Sequence, residues 1–434
     1  MTRTRKATKP DGEVRSRWEW AEPEVWTERM LTALEKGVRG GKWHSLIDKV
    51  YARRNLRAAA ERVVANAGAA GVDHVTTEAF ADRLEENLDH LHADLKEGTY
   101  GPQAVRRTYI PKPGRAEKRP LGIPTVRDRV VQAALKNVLE PIFERDFAEQ
   151  SYGFRPRRSC KDALRRVEEL LKDGYNYVLD ADLRSYFDTI NHDRLLALIE
   201  EKVSDSRVLE LAEKMLKQDV MEGLCEHMPE QGSPQGAVIS PLLSNIYLDE
   251  LDHLMAANGF EMIRYADDFI VLCRSRAAAE RARRLVQEWT AKVDLTLHPE
   301  KTGIVTHEAG FDFLGYHFER GRRWPSKKSL GKFKATIREK TKRSSGRSLD
   351  ATITELNGVL RGWYAYYKHS TRRTFEMVDG WVRMRLRSIL RRRDGRTGPG
   401  RGYDHRRWPN AFFARRRLFS LKTAYEQERQ SSLR

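Results

Sequence analysis

Residues 261–273 read EMIRYADDFIVLC, two apolar runs on either side of the carboxylates Asp267 and Asp268. The pieces "MIRYADD" and "FIVLC" predict two short strands closing into a hairpin, with the acids near its turn. Adjacent like charges repel, and an isolated pair of this kind usually belongs to a solvated turn. Held between strands, the pair asks for a cation instead. A second acid-rich stretch, DADLRSYFD, ends the strand-like segment YNYVLDADL earlier in the chain and brings Asp180, Asp182 and Asp188. Two-metal phosphoryl transfer needs carboxylates from separate segments to hold two divalent ions roughly 4 Å apart. Mg2+ is a hard ion that prefers carboxylate oxygens and water, so Asp is the ligand this chemistry selects.

Outward from the pair, strands and helices are intermixed. After SYGFRPRRSC the spacing predicts a helix with Ala163, Val167, Leu170 and Leu171 on one face. NHDRLLALIEEKV predicts another, with Asn191 as its N-cap. There is no strict strand–helix–strand alternation, so residues 46–320 read as α+β. The first 45 residues are polar and broken by Pro and Gly, and their Trp-rich patch RWEWAEPEVW predicts an extension packed onto something else. Beyond 320 the pattern is helical. TELNGVLRGWYAYYKH places Leu356, Leu360, Trp363 and Tyr367 at helical spacing. FEMVDGWVRMRLRSILRRR turns Val378, Val382, Leu386 and Ile389 inward and leaves Arg383, Arg387 and Arg391 as an outward stripe. A Gly-rich break then leads to a basic tail, 396–434.

At 434 residues the chain can bury two or three cores. No apolar run approaches the roughly 18 residues of a membrane span, and the N-terminus has no secretory pattern. Cys160, Cys225 and Cys273 are too scattered for a disulfide framework or a zinc pair, which fits a reducing compartment. The net charge is +18, yet Arg322–Arg434 alone hold 31 Lys and Arg against 9 Asp and Glu. That quarter is therefore at +22 and the remainder slightly acidic. An uncompensated charge of this size points to a polyanion, above all nucleic acid.

RYADDFIVL resembles the Y-x-D-D motif of reverse transcriptases, and DADLRSYFD their first catalytic motif. QGSPQGAVISPLLSNIYLDELD, RRTYIPKPGRAEKRPLGIPTVRDRVVQ, SYGFRPRRS, LHPEKTGIV and FLGYHF are similar to further blocks of the reverse transcriptases encoded by group II introns, which are also intron maturases. LNGVLRGWYAYY followed by WVRMRLR resembles their thumb or maturase region. The resemblance runs from about residue 43 to the end of the chain. It implies a right-hand polymerase, with fingers and a palm with an antiparallel sheet over 46–320. A helical thumb/maturase domain would follow over 321–395, and the tail would be a candidate DNA-binding segment.

Residue by residue, the resemblance implies that Asp182, Asp267 and Asp268, with the backbone carbonyl of Leu183, hold two Mg2+ ions. Asp267 would be the more essential ligand and Asp268 the more peripheral. Lys301 is the candidate general acid for the leaving pyrophosphate. Lys112 and Arg119 would grip the triphosphate, as basic side chains suited to phosphate. Gln235 and Gly236 would lie against the nucleotide, and Phe187 would crowd a ribose 2′-OH and so favour dNTPs. Leu314, Gly315 and Tyr316 would form the primer grip, with an exposed aromatic on a sugar. Arg383, Arg387 and Arg391 are the expected RNA contacts. Asp180 reads as a strand neighbour and Asp188 as structural.

The implied function is an RNA-directed DNA polymerase that copies intron RNA and binds its parent group II intron RNA to assist splicing and mobility. Its partners would be that intron, an RNA template with a DNA primer, a DNA target and dNTPs, without a membrane. The expected setting is a bacterial cytoplasm. No cysteine follows Cys273, so the paired-cysteine endonuclease of many such proteins is not expected. Three other readings stand beside this one: a splicing maturase with a decayed polymerase, a related enzyme recruited to defence, and a two-metal nuclease. The last has no use for SPQG or a fingers block.

Overall fold

A computed structural model describes residues 11–38, 40–111, 118–222, 225–227, 232, 236–344, 346–399 and 402–431. Its strands are β1 (Val105–Pro111), β2 (Lys118–Ile123), β3 (Tyr177–Asp182), β4 (Val220–Glu222), β5 (Cys225–His227) and β6 (Glu261–Tyr265). They continue with β7 (Asp268–Cys273), β8 (Gly303–Thr306), β9 (Phe311–Phe313), β10 (Tyr316–Glu319) and β11 (Arg322–Pro325). Three sheets result, with strand orders β2-β1-β4-β5, β6-β7-β3-β8 and β11-β10-β9. Long helices accompany them, so the class is α+β as expected. The chain divides into two compact units, one of residues 1–170 and 179–304, the other of 171–178 and 305–434.

In the first unit the helix Val126–Glu144 is buried along nearly its whole length. Thr125 caps it by accepting from the Asp128 N–H at 3.1 Å. The N-terminal extension docks here: Trp26 is fully buried and its indole N–H donates to the Asn137 carbonyl at 2.9 Å. Asn191 caps the helix His192–Glu200 by accepting from the Arg194 N–H at 3.0 Å, as its sequence predicts. The helix Cys160–Lys172 buries Ala163, Leu164, Val167 and Leu170, with Leu164 taking the place expected of Leu171. β6 and β7 form the expected antiparallel hairpin, with Tyr265 opposite Asp268 and only Ala266 and Asp267 in the turn.

An apolar core joins the helices of the second unit. Leu356, Leu360, Val378, Val382, Leu386 and Ile389 are buried in it, as their spacing predicts. Trp363 packs there too, its ring 4.6 Å from Phe333. Trp408, Phe413 and Leu421 belong to the same core. The described tail residues 402–431 therefore join this core, folding back as Asp404–Arg407, Asn410–Arg415 and Leu421–Ser431. No helix among the described residues is long and apolar enough to cross a membrane.

The fold-back corrects the arginine stripe. Arg387 is only 2% exposed, donating to the Trp408 carbonyl at 2.9 Å and to Asn410 Oδ1 at 2.8 Å, with its guanidinium over Phe413. Arg391 donates to the Thr397 carbonyl at 2.7 Å and pairs with the buried Asp404 at 2.8 Å. Arg383 is half-buried, 4.0 Å from Asp379. The face of Arg372–Arg393 that looks outward in sequence is the face the tail covers. The guanidiniums of Arg387 and Arg391 serve the tail's carbonyls, the Asn410 amide and the Asp404 carboxylate, while Arg383 faces Asp379 of its own helix.

Candidate active site

β3 and β7 are neighbours in the sheet, so the segments carrying Asp182 and the 267–268 pair lie side by side. Asp267 also acts electrostatically on Tyr186, four residues beyond Asp182. Burial raises the Tyr186 hydroxyl above the usual phenol range, and the Asp267 charge adds to the shift. The end of β3 and the turn between β6 and β7 thus occupy one end of the sheet. Asp267 is half-buried in the turn and Asp268 is exposed at the start of β7. Asp188 is exposed on the short helix Tyr186–Thr189.

Lys301 is brought to this end: its ammonium pairs with Asp182. The loop before it is tied to β3, the His298 N–H donating to the Asp182 carbonyl at 2.7 Å and the Arg184 N–H to the Thr296 carbonyl at 2.8 Å. Those two bonds bracket the antiparallel pair Leu183–Leu297. In such a pair the bracketed residues turn their own N–H and C=O away from each other. The Leu183 carbonyl therefore points away from the Thr296–His298 segment.

Among the described residues no three His, Cys, Asp or Glu side chains stand together as a ready-made ion cage. The donors fit a hard divalent ion in kind, being carboxylates and a carbonyl. To serve together they require Lys301 to leave Asp182.

The turn is fixed by groups that the hydrophobic pattern conceals. Ala266 has a left-handed φ of 61°. The Arg264 guanidinium, fully buried inside the apolar run MIRY, donates to the Ala266 carbonyl at 3.0 Å and to Asn245 Oδ1 at 2.9 Å. It also reaches Asp252, itself buried, at 2.8 and 3.0 Å. Burial is the largest influence and opposes its charge, but Asp252, with Tyr186 and Asp249, favours the charge and the net shift is upward. Asn245 in turn donates to the Gly153 carbonyl at 2.9 Å. A Cβ on Gly153 would overlap the backbone of Ala266 and Tyr265, so only glycine allows this approach. The one signal of this network in the sequence is an arginine in an otherwise apolar strand, with Asp252 in the preceding helix.

The other expected site residues divide. Phe187 is half-buried, its ring edge-on to Tyr186. Lys112, Gln235 and the Arg119 side chain lie outside the described residues; the Arg119 backbone pairs with Ile110 in the β1–β2 ladder. Gly236, at φ 116°, does make a close approach, but to Leu121 and Gly122 of β2. Its glycine is explained by that strand.

In the second unit Leu314 and Gly315 form the tight turn between β9 and β10, both at positive φ. Tyr366 donates to the Leu314 carbonyl at 2.7 Å, and a Cβ on Gly315 would crowd the Tyr367 hydroxyl. Tyr316 corrects the expected exposed aromatic. It is 1% exposed, donates to the Tyr366 carbonyl at 2.7 Å and packs on Tyr367. Strand alternation turns its side chain to the apolar face, beside Phe318. Tyr366 and Tyr367 of GWYAYY thus hold the FLGY turn.

A family model of reverse transcriptase (RNA-dependent DNA polymerase) matches residues 110–318, and one of the group II intron, maturase-specific domain matches 330–408. The chain is 35% identical over 324 residues to Protein YkfC of Escherichia coli (strain K12), covering 65% of this chain and 84% of that protein. It is 40% identical over 194 residues to the group II intron-encoded protein LtrA of Lactococcus lactis subsp. cremoris, 44% of this chain and 32% of that one. A putative COX1/OXI3 intron 1 protein of Saccharomyces cerevisiae is 26% identical over 364 residues, 70% of this chain and 43% of its own length. The matched part is thus about a third of the Lactococcus protein and under half of the yeast one.

Proposed function

The chain belongs to the group II intron-encoded reverse transcriptases and maturases, RNA-directed DNA polymerases, and we propose that it copies intron RNA into DNA by two-metal phosphoryl transfer. What supports this reading is that β3, which ends in Asp182, and β7, which begins at Asp268, are adjacent strands drawn from distant parts of the chain. Asp182, Asp267, Asp268 and the Leu183 carbonyl would hold two Mg2+ ions, which when bound activate the primer 3′-hydroxyl and neutralise the leaving pyrophosphate.

The chain's own residues do the remaining work. The Arg264–Asp252–Asn245 network fixes the Ala266 carbonyl and with it the direction of Asp267. Lys301, released from Asp182, would donate a proton to the departing pyrophosphate oxygen. Phe187 would exclude a ribose 2′-OH, while Lys112, Arg119 and Gln235 would hold the triphosphate and base. The basic second unit would bind the parent group II intron RNA and so assist splicing and mobility at a DNA target. The excess of positive charge after residue 321 supports that part.

Primer extension with dNTPs, Mg2+ and an RNA template annealed to a DNA primer tests the reaction. Full-length product from the native chain and none from Asp267→Ala is the expected result. Undiminished extension by Asp267→Ala would overturn the metal assignment. Sequencing the RNA that copurifies with the protein tests the partner: its parent intron should dominate, and an unrelated RNA population would point to a recruited role.

A further inference from the structure

We infer that Phe154, which no part of the proposed chemistry uses, is a substrate-contact residue: a rigid apolar platform for the nucleic-acid strand that ends in the primer 3′-hydroxyl. Phe154 is one of the few large apolar side chains left in solvent, 49% exposed, and its backbone is left-handed at φ 58°. Bulky residues rarely adopt that conformation, and they do so where the surroundings over-determine it. About half of the ring stays in solvent even with Tyr265 beside it, so a contact with substrate is a natural further source of the gain that offsets the strain.

The surroundings are rigid on both sides. Before it, Gly153 abuts Ala266 and accepts from Asn245, and the Tyr152 N–H donates to the Arg264 carbonyl at 2.8 Å. After it, the buried Arg155 holds Glu144 through bonds of 2.8, 2.9 and 3.1 Å and donates to the Ser151 carbonyl at 3.0 Å. The Phe154 ring lies 6.4 Å from Tyr265, the residue two before Asp267. The same network that aims the carboxylate therefore also fixes the ring.

The occupant follows from position and chemistry, and rests on the proposed polymerase reading. In the order β6-β7-β3-β8, Phe154 borders the β6 edge, whereas Lys301 pairs with Asp182 at the end of β3. If Lys301 serves the pyrophosphate, the triphosphate lies on the β3 flank and the primer strand on the β6 flank. A phenyl ring offers no donor or acceptor, so it stacks on bases or sugars regardless of sequence, as a copying enzyme requires.

The test uses the full chain and a fluorescently labelled RNA template annealed to a recessed DNA primer, with affinity read by anisotropy without turnover. Phe154→Ala should weaken binding about tenfold, the lower part of the range for one base–aromatic stack. Phe154→Trp should restore it. The melting temperature and the KM for dNTP should stay unchanged. A Kd for Phe154→Ala within about twofold of the native value would overturn the inference, as would a loss confined to dNTP KM or tracking a fall in melting temperature. Failure of the native chain to extend a primer would count against the polymerase reading instead, because the binding result is independent of it.

Discussion

The acidic pair of the palm hairpin and the arginine stripe of the helix Arg372–Arg393 present the same problem in opposite signs. Both are runs of like charge at regular spacing, and in sequence both read as facing a ligand. Asp267 is half-buried in its turn and Asp268 exposed at the start of β7, the strand next to the one that ends in Asp182. Arg387 is buried and Arg391 is paired with Asp404. The difference lies in what the rest of the chain supplies. A carboxylate pair at the tip of a short hairpin stays near the surface, whereas an arginine row on a long helix is a ready seat for a returning tail rich in carbonyls. Charge composition locates a kind of partner; it does not say which charges remain available to meet it.

The largest effect expected from breaking this contrast is on the acidic side. Asp267→Ala should lower the rate of extension by about three orders of magnitude or more, through weaker transition-state stabilisation by several kcal/mol. Asp268→Ala should cost clearly less, because the exposed carboxylate is the more peripheral donor. Equal losses in single-turnover extension would erase that asymmetry.

Next comes the support beneath the turn. Asp252→Ala would leave a buried guanidinium without its counter-charge, a destabilisation of about 3–5 kcal/mol, measurable by urea unfolding. Unchanged stability would mean that Arg264 finds another partner and that the network is not what fixes Ala266. In the second unit, Arg387→Ala should remove about 1–3 kcal/mol by stranding the Trp408 carbonyl and Asn410. Its intron RNA affinity, measured on the folded fraction, should be unaltered. Reduced affinity at unchanged stability would return Arg387 to the interface.

The smallest effect on stability and the sharpest on binding is expected from Lys327, Lys328 and Lys332, exposed on the helix Lys327–Lys340. Changing all three to Gln should leave melting unchanged and weaken RNA binding, with the salt slope falling by about one for each phosphate no longer neutralised. An unchanged slope would place the RNA elsewhere on the unit.

Much of the fold was legible because its signals are local. The Asn191 cap, the β6–β7 hairpin and the inward faces of both long thumb helices are set by turn chemistry and periodicity within a few residues. The clustered acids stand out in the sequence for a related reason, since acids between strand-forming residues have few structural uses. What escaped was long-range. Leu164 replaced Leu171 on the buried face of its helix, Tyr316 turned inward onto Tyr367, and Gly236 met β2. For Tyr316 and Gly236 the neighbours come from residues distant in sequence, and no window along the chain contains both partners.

By itself, then, the sequence determined the elements, the hairpin that carries Asp267 and Asp268, and the kind of substrate its charge suits. Tertiary structure alone decided which polar groups are spent internally. It placed Arg264 against Asp252, wrapped the tail over Arg387 and set Lys301 on Asp182. The reason is that a buried polar group must find a partner somewhere in the fold. Which partner it finds depends on how the whole chain packs, and local propensity carries no information about that.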